Sequence, residues 1–216
     1  MQIVKCDSNM SEVKEMPYQE KFEGILGYTK MVESFAPQLI KKELGKEKVD
    51  ELQSIWKKGT QPIPEEASDR DEYDIAYRNF MWKWVSANNL MDTYQGEDGT
   101  KKYMQAAIAA WNRRYALRGL MFKVVGGIAR KTAFRTVSKG LAYQLQAFSP
   151  FVVTELNEKR TVLSVAPCKI LADQNGANFC SMACQNIIPS WLEKQFNVKM
   201  NLTRQGENCS VIFEAF

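Results

Sequence analysis

The hydrophobic period of this chain changes once, and that change limits what it can fold into. From Tyr18 to about Phe148, apolar residues recur at helical spacing; beyond Phe148 they alternate. Phe22, Ile25, Leu26, Tyr28, Met31 and Val32 predict one broad helical face. A short helix is expected after Pro37 and another over about Lys46–Lys58. "GTQPIPEEASDRDE" (Gly59–Glu72) reads as a proline-bearing break. Ser68 can cap the next helix, whose first turn carries Asp69, Asp71 and Glu72 where the helix dipole favours acids. Tyr73, Ala76, Tyr77, Phe80, Met81, Trp84 and Val85 then form a stripe that reads as core. "YQGEDGT" (Tyr94–Thr100) is expected to turn, and a further helix to run over about Lys101–Met121, with Val124–Gly140 continuing helically after an irregularity at Gly126-Gly127.

After the switch, Phe151–Leu156 and Arg160–Ala166 read as a hairpin joined at Asn157–Lys159. "NFCSMACQNIIPSWLEKQF" follows as a helix, with Asn178 as its cap and Pro189 as a break or restart. "VKMNLTR" and "CSVIFEA", joined by "QGEN", close the chain as a second hairpin. The expectation is an α+β fold: an N-terminal helical region packed on a four-stranded antiparallel sheet with β-β-α-β-β order at the C-terminus. Residues 1–16 read as a loose lead-in, 17–148 as the helical region, and 149–216 as an α+β cysteine-bearing subdomain forming one compact domain with it.

A chain of 216 residues can bury a full core without disulfides. The N-terminal stretch is polar, with Asp7, Glu12 and Glu15, unlike a signal peptide. No apolar run approaches the roughly 18 residues of a membrane span, so a cytoplasmic protein without membrane insertion is expected, its thiols reduced.

The cysteines carry the chemistry. Cys168, Cys180, Cys184 and Cys209 are spaced C-x11-C-x3-C-x24-C, and the chain has no histidine. Cys180 and Cys184 share a helix face; the hairpins can bring Cys168 and Cys209 to them. Three readings stand. The four thiolates could ligate zinc or an iron–sulfur cluster, which needs no imidazole. One thiol, Cys180 or Cys184, could be a nucleophile, Cys180 gaining from the first turn of its helix, with Asp173 a candidate for proton transfer. Or the four are small buried hydrophobes. Cys6 lies in the lead-in and is read as incidental.

"LSVAPCKI", "FCSMACQNIIPSWLEKQFNVKM" and "TRQGENCSVIFEA" resemble the tail of the L-2-amino-thiazoline-4-carboxylic acid hydrolase family and, more distantly, the 4-vinyl reductase-like (V4R) domains. The likeness spans Phe151 to Phe216. It aligns Cys168 with a strand-ending cysteine, Cys180 or Cys184 with a helix-opening one, and Gly206, Cys209 and Phe213 with a closing hairpin. Pro167 precedes its cysteine here instead of following it. The resemblance implies the same α+β fold. It implies either a cysteine-dependent hydrolase opening a small anionic sulfur- or nitrogen-containing ring, needing no cofactor, or a non-enzymatic small-molecule- or metal-sensing module, some V4R-like domains holding zinc by cysteines. Between these the reading leans to the hydrolase.

Charge is unevenly placed. Residues 1–98 hold 13 Lys/Arg against 19 Asp/Glu, whereas residues 99–154 hold 10 Lys/Arg and no acid. The two segments can complement each other, or the basic one can face an anion. Arg114, Arg118 and Arg135 are candidate clamps for a substrate carboxylate. Trp111 and Tyr115 show core spacing, which argues against nucleic acid, and no phosphate loop is present. The partners expected are a small-molecule ligand and a second copy of the chain, in contact along the Tyr73–Val85 or Met104–Tyr115 helices.

Overall fold

The computed structural model describes residues 13–128, 130–173 and 176–215, and side chains outside 116–133. Helix α1 (Tyr18–Leu44) buries Ile25, Tyr28, Met31, Val32, Phe35, Ala36 and Ile40 along one face. Contrary to the expected interruption, it runs through Pro37. Proline removes one intrahelical N–H, but apolar residues buried on both sides of it hold the helix against the core. Helix α2 (Lys46–Gly59) is amphipathic and buries Leu52 and Trp56. The Trp56 indole donates to the Ser86 hydroxyl at 3.1 Å.

Helix α3 (Asp69–Ile128) opens as its sequence predicts. The Ser68 hydroxyl accepts from the Asp71 N–H at 3.3 Å and donates to the Asp71 carboxylate at 2.6 Å. Tyr73, Ala76, Tyr77, Phe80, Met81, Trp84 and Val85 are all buried. The expected turn at Tyr94–Thr100 contracts to one residue, Gly96, with φ 59° and ψ −143°. Those angles are open to glycine at no steric cost, so the helix breaks and resumes without a loop. Contrary to the expected irregularity, α3 continues through Gly126-Gly127 to Ile128, and helix α4 (Arg130–Leu145) follows.

Strands β1 (Val152–Leu156) and β2 (Arg160–Val165) form the first hairpin, β3 (Val198–Gln205) and β4 (Asn208–Ala215) the second. The order is β1-β2-β4-β3, antiparallel throughout. Leu163, Val165, Val198, Met200, Val211 and Phe213 are buried at alternate positions, facing one core. The fold is therefore α+β, with a helical N-terminal region and a four-stranded antiparallel sheet at the C-terminus.

Between the hairpins lies the segment that carries the site. After β2 comes a cis Ala166-Pro167 bond, then α5 (Lys169–Ala172) and α6 (Gly176–Phe179). A π-helical segment, Cys180–Ile187, leads into α7 (Ile188–Phe196). Asn178 sits inside α6, not at its cap. Pro189 restarts the helix: it stands in the first turn of α7, and the Ile188 N–H reaches back five residues to Ala183. Proline cannot donate and crowds the carbonyl four residues behind it, and a widened turn accommodates both.

Phe179 fastens this segment to the helical region. It is 1% exposed, with ring centroids 5.3 Å from Trp84, 5.6 Å from Phe80 and 6.1 Å from Phe148. Trp191 of α7 meets Trp111 at 5.8 Å and Tyr115 at 5.2 Å. Each such pair contributes about 1 kcal/mol beyond its buried area. Charge complementarity is partly internal as well: Lys102 pairs with Glu43 and Asp98, both at 2.9 Å.

Candidate functional site

Cys168 is the residue just before α5 and is buried. Its backbone N–H donates to the Glu207 carbonyl at 2.8 Å. In the same region Val165 pairs with Cys209 across β2 and β4. These contacts bring the Cys168 and Cys209 thiols together, close enough for each to shift the pKa of the other. On the π-helical segment the Cys180 and Cys184 thiols form a second such pair. Cys168 also acts electrostatically on Cys180 and on Cys184, and Cys209 on Cys184. The fold thus brings the four thiols predicted from the sequence into two pairs that lie within electrostatic reach of each other. Cys6 lies outside the described residues.

The pairing divides the cysteines into two kinds. Donation from Cys209 lowers the Cys168 pKa to about 6, against burial, with help from the N–H groups of Leu171 and Ile170 and the Ser149 hydroxyl. Ser149 is itself oriented, since its oxygen accepts from the Lys169 N–H at 2.9 Å. Donation from Cys184 brings Cys180 to about 7, with the Arg204 charge assisting and burial and Cys168 opposing. The donors move the other way. Cys209 is raised by its hydrogen bond to Cys168 and by burial, and Cys184 by its hydrogen bond to Cys180, by burial and by the neighbouring sulfurs. A thiol that donates to a thiolate must stay protonated.

Tyr77 borders the cluster. It is 2% exposed, and its hydroxyl has no hydrogen-bond partner among the described residues. Burial first, then Tyr73, Cys168, Asp173 and Cys184, raise its pKa, so the phenol keeps its proton. Asp173, expected from the sequence as a proton-transfer group, is therefore within electrostatic reach of Tyr77. Lys169 lies 4.0 Å from the Tyr73 ring and 4.7 Å from the Tyr77 ring and pairs with Asp74. Burial lowers its pKa against that ion pair.

Of the candidate arginines, Arg114 falls elsewhere. Arg114 donates to the Gly27 carbonyl at 2.7 Å and lies over the Tyr28 and Tyr115 rings, so it is committed between α1 and α3. Arg135 is half-buried on α4 and engaged with neighbours. The side chain of Arg118 lies outside the described residues. Among the described residues, Arg204 acts electrostatically on Cys180, and it pairs with Cys209 across β3 and β4. Counting outward from the "QGEN" turn could have found it. Tyr77 could not be found that way, because a buried tyrosine in a core stripe carries no mark of an unpartnered hydroxyl.

Among the described residues, no group of three or more Cys, Asp or Glu side chains is placed to hold a metal ion. The donor set for zinc or an iron–sulfur cluster is therefore not formed by Cys168, Cys180, Cys184 and Cys209 as they stand. Nor is any helix among the described residues long and apolar enough to cross a membrane.

No family model and no curated protein matches the chain. Among solved structures, it is similar to the Fe(II) unliganded form of an H-NOX protein mutant from K. algicida. The TM-score is 0.34 at 13% identity, over 85% of this chain and 94% of that one. A likeness that slight assigns neither fold nor function.

Proposed function

We propose that the chain is a cysteine-dependent hydrolase of a small anionic ring compound containing sulfur or nitrogen, with Cys168 as nucleophile. One observation carries the reading: Cys168, its thiol acidified to about 6, lies within electrostatic reach of the buried Tyr77 hydroxyl, which has no hydrogen-bond partner among the described residues. A low-pKa thiol needs no histidine to activate it, which answers the missing imidazole. Cys168 displaces Cys180 and Cys184 in this role, because Cys180 is less acidified and Cys184 is held as the donor to it.

The Cys168 sulfur attacks the electrophilic ring carbon and forms a thioether-type adduct. As the ring C–N or C–S bond breaks, Tyr77 passes its proton to the leaving atom. Water then attacks the same carbon, losing a proton to the Tyr77 phenolate, and Cys168 leaves as thiolate. Asp173 tunes Tyr77 through its charge, and Arg204 attracts the substrate carboxylate.

Turnover of cyclic thiazoline carboxylates, read as release of free thiol, tests the reading. The wild type should release thiol, and Cys168→Ser should lose at least about 100-fold, while Arg114→Lys stays near wild type. Absence of turnover of every such ring by the wild type, or equal turnover by Cys168→Ser, overturns it.

A further inference from the structure

We propose that Cys168 and Cys209 form a reversible oxidation site, in which a small hydroperoxide oxidises Cys168 and Cys209 resolves the product as an intramolecular disulfide. The inference goes beyond the hydrolytic reading and does not rest on it. It stands on placement. The Cys168 backbone is hydrogen-bonded to Glu207, two residues before Cys209, and Cys209 stands opposite Val165, three residues before Cys168, so the two thiols are neighbours. The backbone on both sides is pinned, by the Cys168 N–H to Glu207 carbonyl bond at 2.8 Å and by the Val165–Cys209 ladder pair.

The other pair is poorly suited. Cβ atoms four residues apart along a helix stand about 5–6 Å from each other, beyond the roughly 3.5–4.5 Å that a disulfide spans. Cys180 and Cys184 have that spacing on one continuous helical segment, whereas Cys168 and Cys209 come from separate elements.

Burial selects the oxidant. Cys168 is 5% exposed and Cys209 is half-buried, so the site favours a small hydroperoxide over a bulky disulfide. The Cys168 thiolate attacks the terminal peroxide oxygen. The O–O bond breaks, and hydroxide or alkoxide leaves and takes a proton from solvent. The sulfur, oxidised by two electrons, becomes a sulfenic acid. The Cys209 sulfur then attacks it, the S–O bond breaks, and hydroxide leaves as water with the Cys209 proton. The low pKa of Cys168 keeps the attacking thiolate populated at neutral pH, and the neighbouring thiol stops the sulfur at the reversible stage.

The test treats the reduced full chain with hydrogen peroxide, alkylates the remaining thiols and maps the peptides. Alkylation should be lost at Cys168 and Cys209 together, with a cross-linked peptide joining them that dithiothreitol releases. A Cys180→Ala, Cys184→Ala double variant should cross-link as the wild type does. In Cys209→Ser the cross-link should vanish and dimedone should label Cys168. A cross-link joining Cys180 to Cys184, one joining two chains, or undiminished alkylation of Cys168 overturns the proposal. The wild type and the double variant decide it without Cys209→Ser should that variant fail to fold.

Discussion

Cys168 and Cys209 are 41 positions apart in sequence, and the fold brings them together with Cys209 positioned to donate a hydrogen bond to the Cys168 sulfur. The bond makes the two sulfurs opposites, one acidified and one held protonated. Removing the donor should therefore undo the acidity of its partner. In Cys209→Ala the Cys168 midpoint should rise from about 6 towards the ordinary thiol value of 9.0. The pH dependence of Cys168 alkylation reads this directly, and an unchanged midpoint would sink it.

The same shifts set a pH dependence of stability. Cys168 titrates lower in the fold than in the unfolded chain, so its contribution is fully present above pH 9.0 and is lost as pH falls through about 6. Cys184 and Cys209 are raised, so their contribution holds below 9.0 and is lost as pH climbs above it. The melting temperature should rise between about pH 6 and 9 and turn over beyond. Cys168→Ser should flatten the rise relative to wild type, as thermal melts across that range would reveal.

Tyr77→Phe separates chemistry from packing. The hydroxyl is buried without a partner among the described residues, and such a group costs about 1–3 kcal/mol. Its removal should leave the melting temperature unchanged or higher. As proton donor, the same hydroxyl is worth about 100-fold or more in turnover. Stability and activity should thus move in opposite directions, whereas a merely structural tyrosine would lose both or neither.

Gly176 and Gly140 make a matched pair. A Cβ on Gly176 would stand 1.6 Å from the Ile170 carbonyl oxygen and 3.1 Å from the Leu171 Cα, both backbone atoms. Gly176→Ala should destabilise the protein by about 2 kcal/mol or more and disturb the cysteine cluster beside it. On α4, Gly140 has nothing within 4 Å of a new Cβ, so Gly140→Ala should stabilise by about 0.5–1 kcal/mol. Denaturant titration of both variants checks the contrast.

Phe179→Ala should cost about 3–5 kcal/mol, since the ring is 1% exposed among Phe80, Trp84 and Phe148. Because Phe179 directly precedes Cys180, the variant should also shift Cys180 reactivity, measurable by alkylation rate under conditions where the protein stays folded.

What the sequence determined by itself was local. A helical stripe from Tyr73 to Val85, alternation in the two hairpins and a serine ahead of three acids each express a preference set within a few residues, and each reappears in the structure. Pro37 reads locally as a break, but burial against residues from elsewhere in the chain outweighs the lost hydrogen bond and α1 runs through it. The spacing of the cysteines raised the possibility of a cluster, but how they pair was decided by the tertiary structure alone. Hydrogen bonds between thiols, desolvation and an unpartnered phenol are properties of distance through space, and they assign acidity to Cys168 where helix position had pointed to Cys180. Arg114 likewise looked free in a basic run until the fold gave it the Gly27 carbonyl. Periodicity records which face of an element is buried; it holds no record of what stands across the gap.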